Sequence, residues 1–75
     1  MAEPQHRYFA RSTQADRDHS HRVEGSSFEA AAVAFVETWI PDQHGEVSVV
    51  VRDRDTGREE CFRIDIDSGA ARPCG

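Results

Sequence analysis

The first candidate for a functional site is the pair His19 and His21, in DRDHSHRVEG at residues 16–25. Side chains two apart on a β-strand share a face, so the two imidazoles could bind one metal ion. Val23 would share that face, and if it packs beneath a helix, His21 lies at the margin of the core. A structural zinc site needs four ligands, and the chain offers no CxxC or HxxxH spacing. The favoured interpretation is therefore that both histidines lie at the edge of the core or in a loop. The alternative hypothesis is a metal-binding or metal-sensing protein that uses His19 and His21.

Cys61 is a second candidate, because alternation with Phe62 and Ile64 places it on the opposite face of a strand from them. Arg52 and Arg63 would share its face, and their charges could favour the reactive thiolate. A nucleophilic cysteine also needs a base and an oxyanion pocket, which a bare sheet face does not provide. An ordinary thiol is the favoured interpretation. The chain has only two cysteines, and in a reducing compartment we expect both to stay thiols.

Two acidic turns, Asp53-x-Asp55 and Asp65-x-Asp67, resemble the start of a calcium-binding loop. They lack the third oxygen ligand and the distant glutamate that such a loop requires, and aspartate is common in hairpin turns for its own reasons. No glycine-rich phosphate loop or nucleophile elbow is present. The sequence therefore predicts no cofactor and no enzymatic activity.

The clearest secondary-structure element in the sequence is an amphipathic helix predicted over residues 26–39. Ser26 and Glu29 fit a capping box at its start, and Pro41 disfavours helical geometry at Ile40. Apolar residues then recur at helical spacing along one stripe. They are Phe28, Ala31, Ala32, Phe35, Val36 and Trp39.

A β-hairpin follows, with strands predicted over residues 46–52 and 60–67 and a turn containing Gly57. Both strands alternate apolar and polar side chains, as half-buried strands do. One face should receive the helix stripe and form the core. That face carries Val47, Val49, Val51, Phe62, Ile64 and Ile66.

The remaining elements complete an α+β fold with a three- or four-stranded, mainly antiparallel sheet and one helix on one face, in the order β(β)αββ. A short strand is predicted over residues 7–11, and a second over residues 19–24 leads into the helix. Residues 1–75 should form a single domain, because a chain of this length has a thin core. Residues 1–5 are expected to be frayed, and residues 70–75 either frayed or a short return strand.

The segments HRVEGSSFEAAAVAFVE and VRDRDTGREECFRIDID resemble a family of short bacterial proteins, mainly alphaproteobacterial, with a strand–helix–hairpin plan. The resemblance covers roughly residues 19–67. It implies a small cytoplasmic protein with no assigned activity. Its motifs are architectural, so no functional residue is carried over from it.

The charge distribution bears on the partners that the chain could bind. The net charge is -5, and its acidic excess lies in the second half of the chain. A surface that binds nucleic acid usually carries a cluster of basic residues that contact the phosphates. The acidic excess of this chain is the opposite, so no nucleic-acid partner is expected. No stretch approaches the roughly 20 apolar residues of a membrane span, and the N-terminus lacks the apolar run of a signal peptide. We therefore expect a cytoplasmic protein that does not bind membranes.

The sheet face away from the helix leads to the prediction of function. A sheet covered on one side only leaves a face and two edges for pairing. We predict a non-catalytic interaction module that binds itself or a protein partner through that face or an edge, using Val50, Arg52, Cys61 and Arg63. A homodimer would add burial to a thin core, and a monomer with a solvated face is an equal alternative. A small enzyme is the least favoured class.

Overall fold

The computed structural model describes residues 5–13, 19–40 and 44–74, and these form one antiparallel sheet with a helix across one face. The spatial strand order is β2-β1-β3-β4-β5. Within the described residues, no helix is long and apolar enough to cross a membrane. The elements are β1 (His6–Ser12), β2 (His21–Gly25), α1 (Phe28–Trp39), β3 (Glu46–Asp53), β4 (Glu59–Asp65) and β5 (Ala71–Pro73).

Five strands in the described part of the chain correct the prediction of three or four, although the α+β class is confirmed. The additional strand is β5, whose Ala71 lies opposite Ile64 and whose Pro73 lies opposite Phe62 in β4. Three residues that include a proline carry no alternating pattern, so strand propensity could not establish this element. It forms because β4 offers an edge to pair with.

The buried core lies between α1 and the helix-facing side of the sheet, as the two apolar patterns predicted. Val49, Val51 and Ile64 are the largest fully buried side chains. From the helix, Ala31, Ala32, Phe35 and Val36 are buried against them. The strands β1 and β2 add Tyr8, Ala10 and Val23, which the hairpin pattern alone did not supply.

The start of α1 lies one residue later than the capping box predicted. Ser27, in extended conformation, caps the helix, and its hydroxyl accepts a hydrogen bond from the amide of Ala30 at 3.1 Å. Ser26 therefore does not cap the helix. The helix ends at Trp39, and the amide of Ile40 donates to the carbonyl of Val36 at 3.1 Å.

Gly25 joins β2 to the helix at a close approach of two backbones. A Cβ atom at this position would lie 2.7 Å from the backbone nitrogen of Ala31. Only glycine lets the strand pass the first turn of the helix at this distance. The contact fixes β2 against α1 and therefore fixes His21 beneath the helix C-terminus.

The two acidic turns have the same construction. The carboxylate of Asp53 accepts from the amides of Asp55 and Thr56, at 2.7 and 3.2 Å. The carboxylate of Asp65 accepts from the amides of residues 67 and 68, at 3.0 and 3.3 Å. These bonds are typical of Asx turns, so both carboxylates have a structural role at strand ends.

Candidate functional site: the open face of the sheet

The side of the sheet opposite α1, here called the open face, collects most of the arginines of the chain. All nine basic residues are arginine, and alternation along the strands places six of them on this face. The helix carries Glu29 and Glu37 and no basic residue. Acids of the open face are Glu24, Glu46, Glu59 and Asp65; its arginines are Arg7, Arg11, Arg22, Arg52, Arg63 and Arg72. A chain of net charge -5 thus has a face on which positive charge exceeds negative.

The four residues that the sequence singled out for partner binding all lie on the open face. Val50 and Cys61 are half-buried and directly opposite each other on β3 and β4. Arg52 and Arg63 are exposed and lie at different ends of this surface. Their placement follows the alternation, whereas their role in binding stays a prediction.

A groove of about 270 Å³ runs over β1 and β3 on the open face. Its lining unites Val50 and Arg52 with residues that the sequence did not single out. The lining residues are Phe9, Arg11, Ser20, Val50, Arg52 and Glu59. The alternation of Arg7, Phe9 and Arg11 was visible in the sequence, but their position beside β3 depends on strand order.

The register of β1 and β3 arranges the centre of the groove as a two-by-two pattern. Phe9 lies opposite Arg52, and Arg11 lies opposite Val50. The two arginines therefore occupy one diagonal, and the two apolar side chains occupy the other. The guanidinium of Arg54 lies 5.1 Å from the ring centroid of Phe9, within range of a cation–π contact.

The arginines of the open face differ in their ion pairing. Arg72 and Arg63 reach the carboxylate of Glu46 at 2.8 and 3.8 Å. Within the residues that the structure describes, no carboxylate lies within 4.0 Å of the guanidinium of Arg11 or Arg52. The groove therefore holds two of the open-face arginines that contact no carboxylate of the described residues; Arg7 and Arg22, outside the groove lining, are the others.

A disulfide joins Cys61 to Cys74, with 5.3 Å between their Cα atoms. The expectation that both cysteines stay thiols is wrong. The amide of Cys74 also donates to the carbonyl of Cys61 at 2.9 Å. The two cysteines lie side by side because β5 pairs with β4, and their spacing in the sequence does not by itself indicate a disulfide. The bond leaves no thiol for nucleophilic chemistry and ties β5 to the sheet.

The histidine pair is divided between two environments. His21 lies on the helix-facing side of β2, where its ring stacks on the indole of Trp39 at 3.9 Å. His19 is exposed in the turn before the strand. Among the described residues, no group of three or more His, Cys, Asp or Glu side chains is placed to hold a metal ion. Metal binding by His19 and His21 therefore stays a prediction, and the described residues supply no third ligand beside them.

Tyr8 is the one described residue whose environment clearly shifts its titration. Burial raises the pKa of its phenol above the usual 10.0, and the negative charges of Asp53 and Glu60 raise it further. Its side chain lies on the helix-facing side, in the core. Tyr8 therefore contributes to folding and does not line the groove.

The model of a family of unknown function, DUF5961, matches residues 6–75. The chain belongs to this family. The match spans all five strands and the helix, so the open face lies within the part that defines the family. No match was found among curated proteins or among solved structures.

Proposed function

We propose that this chain is a non-catalytic interaction module that binds a protein partner through the open face. The observation that carries the proposal is the groove in which Phe9 and Val50 are flanked by Arg11 and Arg52. Interfaces are enriched in aromatic residues and arginine. A half-buried apolar pair between two such arginines has the composition of a small binding centre.

The shape and composition of the groove support a binding role over catalysis. Its volume of about 270 Å³ is below the range of most small-molecule sites. Among the described residues, its lining contains one carboxylate, Glu59, and neither histidine nor cysteine. A general acid–base mechanism uses a pair of such groups within reach of one substrate. A surface of this kind suits contact with a peptide or a protein.

Self-association is the second form of this proposal. The strands β2 and β5 end the sheet at its two edges, and edge strands pair readily with another chain. β5 is only three residues long and contains Pro73, which cannot donate a ladder hydrogen bond. β2 is therefore the edge better suited to pairing in a homodimer.

The location of the protein stays a prediction, as does the bacterial origin that the resemblance implies. A cytoplasmic protein is expected to keep its cysteines as free thiols, because the cytoplasm is reducing. Disulfides persist mainly in oxidising compartments. The Cys61–Cys74 bond therefore weighs against that expectation. Alkylation of free thiols at cell lysis, followed by mass spectrometry of the intact chain, would test it: two added alkyl groups would restore the cytoplasmic assignment.

In-cell photo-crosslinking tests the proposed surface without assuming a partner. Val50 is replaced by photoreactive p-benzoylphenylalanine, and as a control the exposed Thr38 of α1 is replaced in the same way. We expect a discrete adduct from position 50, either with one protein or with a second copy of the chain. Adducts from position 38 alone, or none from position 50, would contradict the proposal.

A further inference from the structure

The spacing of Arg11 and Arg52 defines what the groove can bind. Diagonal neighbours on two antiparallel strands lie about 7 to 8 Å apart, with their Cβ atoms slightly closer. Arg11 and Arg52 are such neighbours, since Arg11 lies opposite Val50, two residues before Arg52. In an extended peptide, side chains two residues apart point to the same side at about 7 Å. The two distances match.

The chemistry of the two arginines defines which side chains fit. A guanidinium binds a carboxylate through two parallel N–H donors, and such charged pairs are stronger than neutral hydrogen bonds. Arg11 and Arg52 have no carboxylate within 4.0 Å in the described part of the chain, so a ligand would not have to break an ion pair there. Arg63 and Arg72, in contrast, already contact Glu46.

We infer that the groove binds an extended acidic segment of a partner protein, with two carboxylates separated by one residue. This inference rests on the proposed function and specifies its ligand. One carboxylate binds Arg11 and the other binds Arg52. Phe9 and Val50 contact the methylene groups of the acidic side chains, which favours glutamate over aspartate because glutamate has the longer stem.

Single-stranded nucleic acid is the competing ligand for a groove with arginine and an aromatic ring. Glu59 lies in the lining, and three further acids share the open face. A net charge of -5 opposes the approach of a polyanion. A short acidic segment also meets Glu59, which lies opposite Arg52, but it avoids the other three acids of the open face.

Fluorescence anisotropy with labelled peptides and the intact disulfide-bonded chain tests the inference. The first peptide contains Glu-Ser-Glu in a neutral serine-rich sequence. The second contains Gln-Ser-Gln, and the third contains Glu-Glu-Ser, which keeps the charge but points the acids to opposite sides. We expect the first peptide to bind about tenfold more tightly than the third, which loses one charged pair, and about a hundredfold more tightly than the second, which loses both.

Variants of the chain assign the binding to the groove. Arg11→Gln and Arg52→Gln should each weaken binding of the Glu-Ser-Glu peptide about tenfold. The control Arg72→Gln removes the same charge from the same face outside the groove. It should lower the affinity less than about twofold, because a distant exposed charge is screened by salt. Circular dichroism checks that each variant is folded.

The inference would be overturned by equal binding of Glu-Ser-Glu and Glu-Glu-Ser, by an equal loss of affinity in Arg72→Gln, or by tighter binding of oligo(dT) than of any peptide. Absence of binding by all three peptides would also overturn it. A crosslink from position 50 to a protein would then leave the proposed function in place, so the two failures are distinguishable.

Discussion

The imidazole of His21 and the indole of Trp39 are stacked, with ring centroids 3.9 Å apart and planes 17° apart. This contact joins the start of β2 to the last residue of α1. Trp39 is 48% exposed, so it covers His21 from the solvent side and does not enter the core as the helix stripe predicted. The position of His21 is explained by this packing.

We expect His21→Ala to lower the free energy of unfolding by about 1 kcal/mol, the usual value of a stacked aromatic pair. Denaturant unfolding followed by far-ultraviolet circular dichroism measures it. His19→Ala is the matched control, since His19 is exposed outside the strand, and it should leave the stability unchanged. Equal losses in the two variants would contradict a role specific to the stacked ring.

Reduction of the Cys61–Cys74 bond should lower the free energy of unfolding by about 3 kcal/mol, as loss of a cross-link over a short loop implies. The two cysteines are 13 residues apart, and β5 lies within the loop that they close. Urea titrations with and without reductant measure the loss. A chain carrying both Cys61→Ser and Cys74→Ser should unfold at the same urea concentration in either buffer. Equal urea midpoints of the wild type with and without reductant would contradict a stabilising role of the disulfide.

The stability of the fold should fall as the pH rises above about 10, because of Tyr8. Burial raises the pKa of Tyr8 in the folded chain, so the folded state holds the phenolic proton more tightly than the unfolded state does. The contribution is therefore intact below the unfolded pKa and is lost as the pH rises through the folded pKa. The chain has one tyrosine and no lysine, which simplifies the alkaline titration.

Tyr8→Phe supplies the control for this pH dependence, since it keeps the ring and removes the titrating group. Thermal unfolding between pH 8 and about 11 should show a falling midpoint in the wild type and a flatter profile in the variant. Parallel profiles in the two proteins would show that another group causes the loss.

The cap of α1 offers a comparison between adjacent serines. Ser27→Ala removes the hydroxyl that accepts from Ala30 and should cost about 1 kcal/mol of stability. Ser26→Ala, one residue earlier and equally exposed, should cost close to nothing. Chemical denaturation of the two variants measures the difference. A larger loss in Ser26→Ala would restore the capping box that the sequence predicted.

The sequence predicted the parts of the fold that depend on periodicity within one element. Alternation in β3 and β4 identified the buried face with Val49, Val51 and Ile64, and helical spacing identified Phe35 as its partner. These patterns are strong because each element buries one face only. The cap was placed one residue early because two serines in succession satisfy the same pattern.

Features that depend on which strands become neighbours were left open or missed. A short return strand over residues 70–75 was one of two alternatives, and the structure shows it as β5, whereas the disulfide and the groove were missed. β5 is too short for a pattern of its own, and the disulfide follows from its pairing with β4. The groove was missed for the same reason, because Phe9 and Arg11 reach Val50 only after β1 lies beside β3. Strand order is a property of the whole sheet, and local spacing carries no information about it.

Contact between the open face and a partner is tested most directly by nuclear magnetic resonance on the isotope-labelled chain. The purified protein that crosslinks to position 50, or increasing concentrations of the chain itself, is added as the ligand. We expect the side-chain Nε–Hε signals of Arg11 and Arg52 and the backbone amides of β1 and β3 to shift together. Shifts confined to α1, with both arginine signals unchanged, would contradict the account.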